Sequence, residues 1–252
     1  MKIDLSQKTM LVTGGTSGIG KAIAQRALEA GAQVAITSRR AELVREVADE
    51  IGAFGVPGDV TSRDDAARVV GAVCERFGGL TTLVNNAGVI GGAGTADTSI
   101  EEWDRIMSIN VDGTVNMCRA ALDPLKAADG ASVVNLSSVT GSRPFAQVTA
   151  YCMAKAAVDM YTQCLALELA SDQVRVNAIA PGVVVTNLHT VTGAVADYDA
   201  FLERGRETHP LGRVGQVDDI ASVALFLVSD LSSWMTGAIV PVDGGRACLS
   251  AR

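Results

Sequence analysis

A strand, a glycine-rich turn and a helix in immediate succession constrain this chain most. Met10-Leu11-Val12-Thr13 is a short apolar run, Gly14-Gly15-Thr16-Ser17-Gly18-Ile19-Gly20 follows it, and a helical pattern starts at Lys21. Glycines permit positive φ and close backbone approach, while free N–H groups at the helix start attract an anion. The turn therefore suits a cofactor pyrophosphate, placed against Gly14, Thr16, Ser17, Gly18, Ile19 and Gly20.

The same alternation continues. β-like runs at 8–13, 33–37, 53–56, 80–85, 132–137, 174–180 and 238–242 alternate with helical stretches, which predicts a parallel sheet in an α/β chain. Among the helices, one is expected over 101–127 and another over 150–170. No Pro-rich linker or repeat interrupts the pattern, and 252 residues with 48% hydrophobic content suit one domain over 1–252. The long irregular candidate, 183–211, reads as a substrate lid, with Leu188, Val191, Val195, Tyr198, Phe201 and Leu202 as its apolar face, or as surface helices burying one stripe.

Charge and cysteines exclude several classes. A net charge of −7 argues against a nucleic-acid or anionic-membrane surface. The five cysteines lack metal-ligand spacing, so no metal site is expected, and they read as reduced, largely buried thiols of a cytoplasmic protein. Neither a signal peptide nor a membrane span is expected.

The chemistry-bearing residues lie in the middle of the chain. Val133-Val134-Asn135-Leu136-Ser137-Ser138 reads as a buried strand ending in hydroxyls, and the next helix carries Tyr151 and Lys155. Residues spaced i, i+4 share a helix face, so the Lys155 ammonium is expected to lower the Tyr151 pKa and ready the phenol for proton exchange. The pair alone is weak, since chance alone produces it in roughly 6% of chains with this Tyr and Lys content.

The ordered set is specific. Thr13-Gly14-x-x-x-Gly18-x-Gly20, Asn85-Asn86-Ala87-Gly88, Asn110, Ser138, Tyr151-x-x-x-Lys155 and Pro181-Gly182 together resemble the short-chain dehydrogenase/reductase family, in particular its carbonyl reductase and β-ketoacyl carrier-protein reductase members. The resemblance implies a single-domain, doubly wound Rossmann fold with a seven-stranded parallel sheet. It also implies a catalytic tetrad of Asn110, Ser138, Tyr151 and Lys155, in which Tyr151 protonates a carbonyl oxygen and Ser138 hydrogen-bonds that oxygen. Lys155 would hold the nicotinamide ribose, and Asn110 would fix a water linking the lysine to solvent; an Asx cap or kink in its helix is compatible with that role. Asp59-Val60 look like adenine contacts, Asn86-Ala87-Gly88 like the turn beside the adenine ribose, and Pro181-Gly182 with Val184 and Thr186 like carboxamide contacts. For Asp59, a turn-forming role is the plain alternative.

Arg39 stands nineteen residues after Gly20, where an acidic residue would bond a ribose 2′-hydroxyl and an Arg accommodates a 2′-phosphate. With Ser38 and Arg40 beside it, NADP(H) is expected rather than NAD(H). The expected reaction is hydride transfer between NADP(H) and a ketone or secondary alcohol. A non-catalytic cofactor-binding regulator and a sugar-nucleotide epimerase or dehydratase are the alternatives, the latter disfavoured by the short chain after Pro181. Segments 89–94 and 142–148 are expected to line the substrate pocket. His189 and His209 read as solvated. The family tendency and the apolar circumference of the helix over 150–170 predict a homotetramer, with a dimer second.

Overall fold

The structure, a computed structural model, describes residues 3–188 and 197–248. Seven parallel strands form one sheet in the order β3-β2-β1-β4-β5-β6-β7. They are β1 (Thr9–Thr13), β2 (Gln33–Thr37), β3 (Phe54–Gly55), β4 (Thr82–Asn85), β5 (Ser132–Leu136), β6 (Arg175–Pro181) and β7 (Ile239–Val242). Every expected strand is present, with ends shifted by no more than two residues. The doubly wound arrangement follows: strand order reverses between β1 and β4, opening a crevice above their carboxyl ends.

Strand periodicity sends neighbouring residues to opposite faces. Val12, Val84 and Val134 pack with helices α1 (Gly18–Glu29) and α2 (Ala41–Ile51) and with the helix Val217–Val228 on one side. Leu11, Leu83 and Val133 meet α3 (Arg63–Phe77), a helix at Gly113–Lys126 and another at Thr149–Glu168 on the other. Because both faces are covered, the central strands are buried along almost their whole length rather than alternating between buried and exposed residues.

The expected continuous helix over 101–127 is divided. It becomes α4 (Ile100–Met107), a π-helical turn at Ser108–Asp112 and α5 (Gly113–Lys126). Asn110 sits in that turn, at the place where a cap or kink of the helix is the plain alternative. The following helix, α6 (Thr149–Glu168), is tied to the sheet by buried amides: Asn85 donates to Asn135 at 2.9 Å, and Asn135 donates to the Thr162 hydroxyl at 2.9 Å. Directional bonds of this kind fix α6 against β4 and β5 more uniquely than apolar contact does.

Two expectations fail. Of the cysteines only Cys118 is buried, while Cys164 and Cys248 are exposed; α6 turns its Cys164 face away from the sheet. His209 is buried rather than solvated. Its Nε2 accepts the Val183 amide at 3.1 Å and its Nδ1 donates to the Gly205 carbonyl, which fixes a neutral tautomer. His189, Val191 and Val195 lie outside the described residues. Among those described, no helix is long and apolar enough to cross a membrane, and no cluster of His, Cys, Asp and Glu could hold a metal ion.

Candidate active site

A cleft of about 890 Å³ opens above the carboxyl ends of the strands. The glycine turn forms one wall. Gly14 and Gly18 take φ of 62° and 52°, and a Cβ on Gly14 would fall 3.0 Å from the Ala87 Cα, so the bare backbone is what lets the turn approach the loop after β4. Ser17 precedes α1 without capping it through its side chain, which leaves the first amides of the helix to an incoming anion. Gly14, Thr16, Ser17, Gly18 and Ile19 all line the cleft. Gly20 does not. A Cβ there would stand 2.4 Å from Asn86 Nδ2 and 2.5 Å from the Gly14 carbonyl, so this glycine serves close packing beneath the turn.

Asn86 closes that packing. Its amide donates to the Thr13 carbonyl at 3.0 Å and the Gly14 carbonyl at 3.1 Å, while the Thr13 hydroxyl accepts the Asn86 and Ala87 amides at 3.0 Å each. The side chain expected beside a ribose is thus engaged in holding the turn, although Asn86, Ala87 and Gly88 all border the cleft. Asp59 keeps both readings. It borders the cleft beside Val60, and its Oδ1 accepts the Thr61 amide at 2.9 Å, as a turn former does.

Ser38, Arg39 and Arg40 edge the cleft at the end of β2, and both arginines are exposed. Neither forms an ion pair among the described residues. Thr37 beside them was missed by the sequence reading, though its place at a strand end could have signalled it. It lines the cleft with a buried hydroxyl that lacks a hydrogen-bond partner in the protein. Across the cleft stand Pro181, Gly182, Val184 and Thr186. The bare glycines, the uncapped amides, the unpaired arginines and the orphan hydroxyl together fit an elongated phosphate-bearing dinucleotide.

The four tetrad positions share the inner end of this cleft. Ser138 follows β5, its Oγ accepts the Thr140 amide at 3.2 Å, and its hydroxyl draws the Tyr151 pKa downward. Lys155 is buried and donates to the Leu136 carbonyl at 2.7 Å, with its Nζ 5.6 Å from the Tyr151 ring centroid. Asn110 donates to the Val89 carbonyl at 2.9 Å and the Ile106 carbonyl at 2.8 Å, and its Oδ1 accepts the Val89 amide at 3.3 Å. A Cβ on Gly88 would fall 2.8 Å from Asn110 Oδ1 and 3.6 Å from Lys155 Nζ, so only glycine leaves these side chains adjacent.

Burial sets the protonation of the pair. It pushes the Tyr151 phenol up to about 12, against the opposing pull of the Ser138 hydroxyl, and brings the Lys155 ammonium down to about 8. The expected lowering of the Tyr151 pKa is therefore not found in the protein alone: removing the ring from water disfavours the phenolate more than its partners favour it.

The substrate end is built from distant segments. Val89, Ile90, Phe145, Ala146 and Val148 line it, with Leu188 and Phe201 from the proposed lid. Gly91, Gly92 and Ala93 border a separate small pocket, and Arg143 does not line the main cleft. Arg246 does, although nothing in the sequence announced that the chain folds back there. The helix α7 (Tyr198–Glu207) is anchored through Tyr198, whose hydroxyl donates to the Thr186 carbonyl at 2.8 Å.

Comparison with known proteins agrees over most of the length. A family model described as Enoyl-(Acyl carrier protein) reductase matches residues 14–247. The chain is 37% identical over 246 residues to a 2,5-dichloro-2,5-cyclohexadiene-1,4-diol dehydrogenase (LinX) of Sphingobium indicum, covering 96% of each chain. It is 36% identical over 250 residues to the rhamnolipids biosynthesis 3-oxoacyl-[acyl-carrier-protein] reductase of Pseudomonas aeruginosa, again covering 96% of each. A crystal structure of a short-chain type dehydrogenase/reductase from Mycobacterium marinum superposes with a TM-score of 0.91 at 34% identity, covering 98% of both chains.

Proposed function

The chain belongs to the short-chain dehydrogenase/reductase family, and on that premise we propose that it is an NADP(H)-dependent reductase of ketones, reversible as an alcohol dehydrogenase. One observation carries the reading: Ser138, Tyr151 and Lys155 line the same cleft as the glycine turn. Relatives bearing the names of a diol dehydrogenase and a 3-oxoacyl reductase support chemistry at a carbon bearing oxygen. Bound NADP(H) supplies or accepts the hydride.

The residues do the rest. A phenol pushed up to about 12 is protonated at neutral pH, so Tyr151 is ready to give its proton to the carbonyl oxygen. Ser138 stabilises the charge developing on that oxygen. Lys155, as an ammonium, favours the phenolate left behind and offers N–H donors to ribose hydroxyls. Asn110 ties the Val89 backbone to the π-helical turn; from this place it would position the proposed water.

Arg39, with Ser38 and Arg40, supports the 2′-phosphate and hence NADP(H); Gly14, Thr16, Ser17, Gly18 and Ile19 would hold the pyrophosphate. We place the whole chain in one catalytic domain, with 183–211 covering the substrate. A homotetramer is supported by the apolar side chains that α6 leaves exposed, Met153, Met160 and Leu167. The exposed thiols of Cys164 and Cys248 suit a reducing, cytoplasmic setting.

The test is NADPH oxidation with a panel of ketones of graded size. Turnover with NADPH well above that with NADH is expected. A protein that binds NADPH but turns over no ketone would be a regulator instead, and equal efficiency with NADH would remove the role of Arg39.

A further inference from the structure

One charged side chain of the cleft is left unused by this mechanism. Arg246 opens a short 3₁₀ turn, Arg246–Cys248, directly after Gly244-Gly245, and lines the cleft with Phe145, Leu188 and Phe201. Its guanidinium carbon stands 5.0 Å from the Phe145 ring centroid, and its Nη1 donates to the Thr208 hydroxyl. Arg143 approaches the same ring to 5.6 Å and donates to the Arg246 carbonyl. Two guanidiniums therefore share one aromatic ring at the substrate end.

Such a pair is unfavourable without an anion. Burial and the neighbouring Arg143 charge both pull the Arg246 pKa below its ordinary value. The chain has 28 acidic residues against 21 basic ones, so carboxylates were not scarce, yet neither guanidinium forms an ion pair among the described residues. Asp243 acts on Arg246 by charge, but its oxygens already accept the Gly245 and Ala247 amides at 2.9 and 2.6 Å. A guanidinium offers five donors in a planar fork that matches a carboxylate, and Thr208 takes only one side of it.

We infer that Arg246 forms an anion subsite in the substrate end of the cleft, and that the ketone reduced here carries a carboxylate that Arg246 binds, with Arg143 holding the Arg246 backbone in place. The inference rests on the reductase reading and narrows it to keto acids. Phe145 and Val148 belong to the segment that leads into Tyr151, so carboxylate and reacting carbonyl would share one cleft wall. A neutral ketone would leave both cations beside Phe145 without an anion; the carboxylate of an acid would compensate the charge of Arg246 and screen its repulsion with Arg143. Discrimination of this kind is built on the wrong substrate leaving a half-buried charge uncompensated.

The experiment follows NADPH oxidation with methyl-ketone acids having one to four methylenes between carbonyl and carboxylate, each against its methyl ester. At least one acid should exceed its ester in kcat/KM by about tenfold or more, as a charge-assisted bond requires. Arg246→Met should abolish that preference, and Arg246→Lys, which keeps the charge without the fork, should retain part of it. Were the methionine variant to unfold, sulfate added to the unmodified enzyme at saturating NADPH should raise KM for the acid and not for the ester. Equal turnover of acids and esters, a preference that survives Arg246→Met, or sulfate inhibition equal for both would overturn the subsite while leaving the reductase reading in place. A rise in the NADPH KM of Arg246→Met with an unchanged acid-to-ester ratio would also overturn it. Turnover of neither acids nor esters would overturn both readings.

Discussion

The two ends of the cleft are built in different ways. The dinucleotide end is mostly backbone: the glycine turn, the first amides of α1 and the loop after β4 lie within reach of one another because Gly14 and Gly20 lack a Cβ and Asn86 clamps both sides. The substrate end is mostly side chains, with Phe145, Leu188, Phe201 and Arg246 arriving from segments far apart in sequence. A wall of backbone admits one shape and tolerates little change. A wall of side chains can change its chemistry without moving the sheet, which is where specificity is expected to vary.

The largest expected effect lies where the two ends meet. Tyr151→Phe keeps the ring and removes the proton, so kcat should fall by roughly 10²–10⁴ with NADPH affinity little altered. Steady-state kinetics with NADPH titration check this, and near-normal turnover would take Tyr151 out of the mechanism.

Next comes the backbone wall itself. Gly20→Ala forces a methyl to within 2.5 Å of both Asn86 Nδ2 and the Gly14 carbonyl, and overpacking of this sort costs about 1–3 kcal/mol. Denaturant melts should show that loss together with weaker NADPH binding. Unchanged stability would mean that the turn is softer than its contacts suggest. The dinucleotide end also depends on side chains, above all on Arg39. Arg39→Asp should weaken NADPH at least about tenfold while NADH use holds or rises, because a phosphate then meets a carboxylate; parallel loss of both cofactors would break the assignment.

On the substrate side the effects should be smaller and selective. Phe201→Ala should change the ratio of kcat/KM between large and small ketones by several-fold, the scale of a few methylenes in a pocket, with NADPH affinity within about threefold. An equal change for all ketones would contradict the division between the two ends.

The smallest effect is a slope with pH. Burial lowers the His209 pKa, and its hydrogen bond to Gly205 only partly offsets this. The unfolded chain then binds the proton first, so stability is full above about pH 6.5 and declines as pH falls from there toward the lower folded value. Melts at several pH values should show this decline in the unmodified protein and a flatter curve in His209→Gln. Identical slopes would mean that His209 does not titrate between the two states.

Much of this was legible in the sequence for physical reasons that operate locally. Period-2 packing on a twice-covered sheet needs short apolar runs, and these located all seven strands. Positive φ needs glycine, which located the turn, and the end of β5 located Ser138 at the cleft. The i, i+4 spacing put Tyr151 and Lys155 on one face of α6.

Tertiary structure decided the remainder, because burial and charge compensation are sums over neighbours that the chain brings together only on folding. The direction of the Tyr151 shift depended on how much water the packed ring loses. The role of His209 depended on the Val183 amide, 26 residues earlier in the chain. Asn86 became a clamp because the Thr13 and Gly14 carbonyls face it. Arg246 entered the cleft because the segment after β7 folds back on Phe145 and Thr208. Local spacing fixes which residues share a strand or a helix face; only the assembled sheet and loops decide which of them lose water and which charges are left to a ligand.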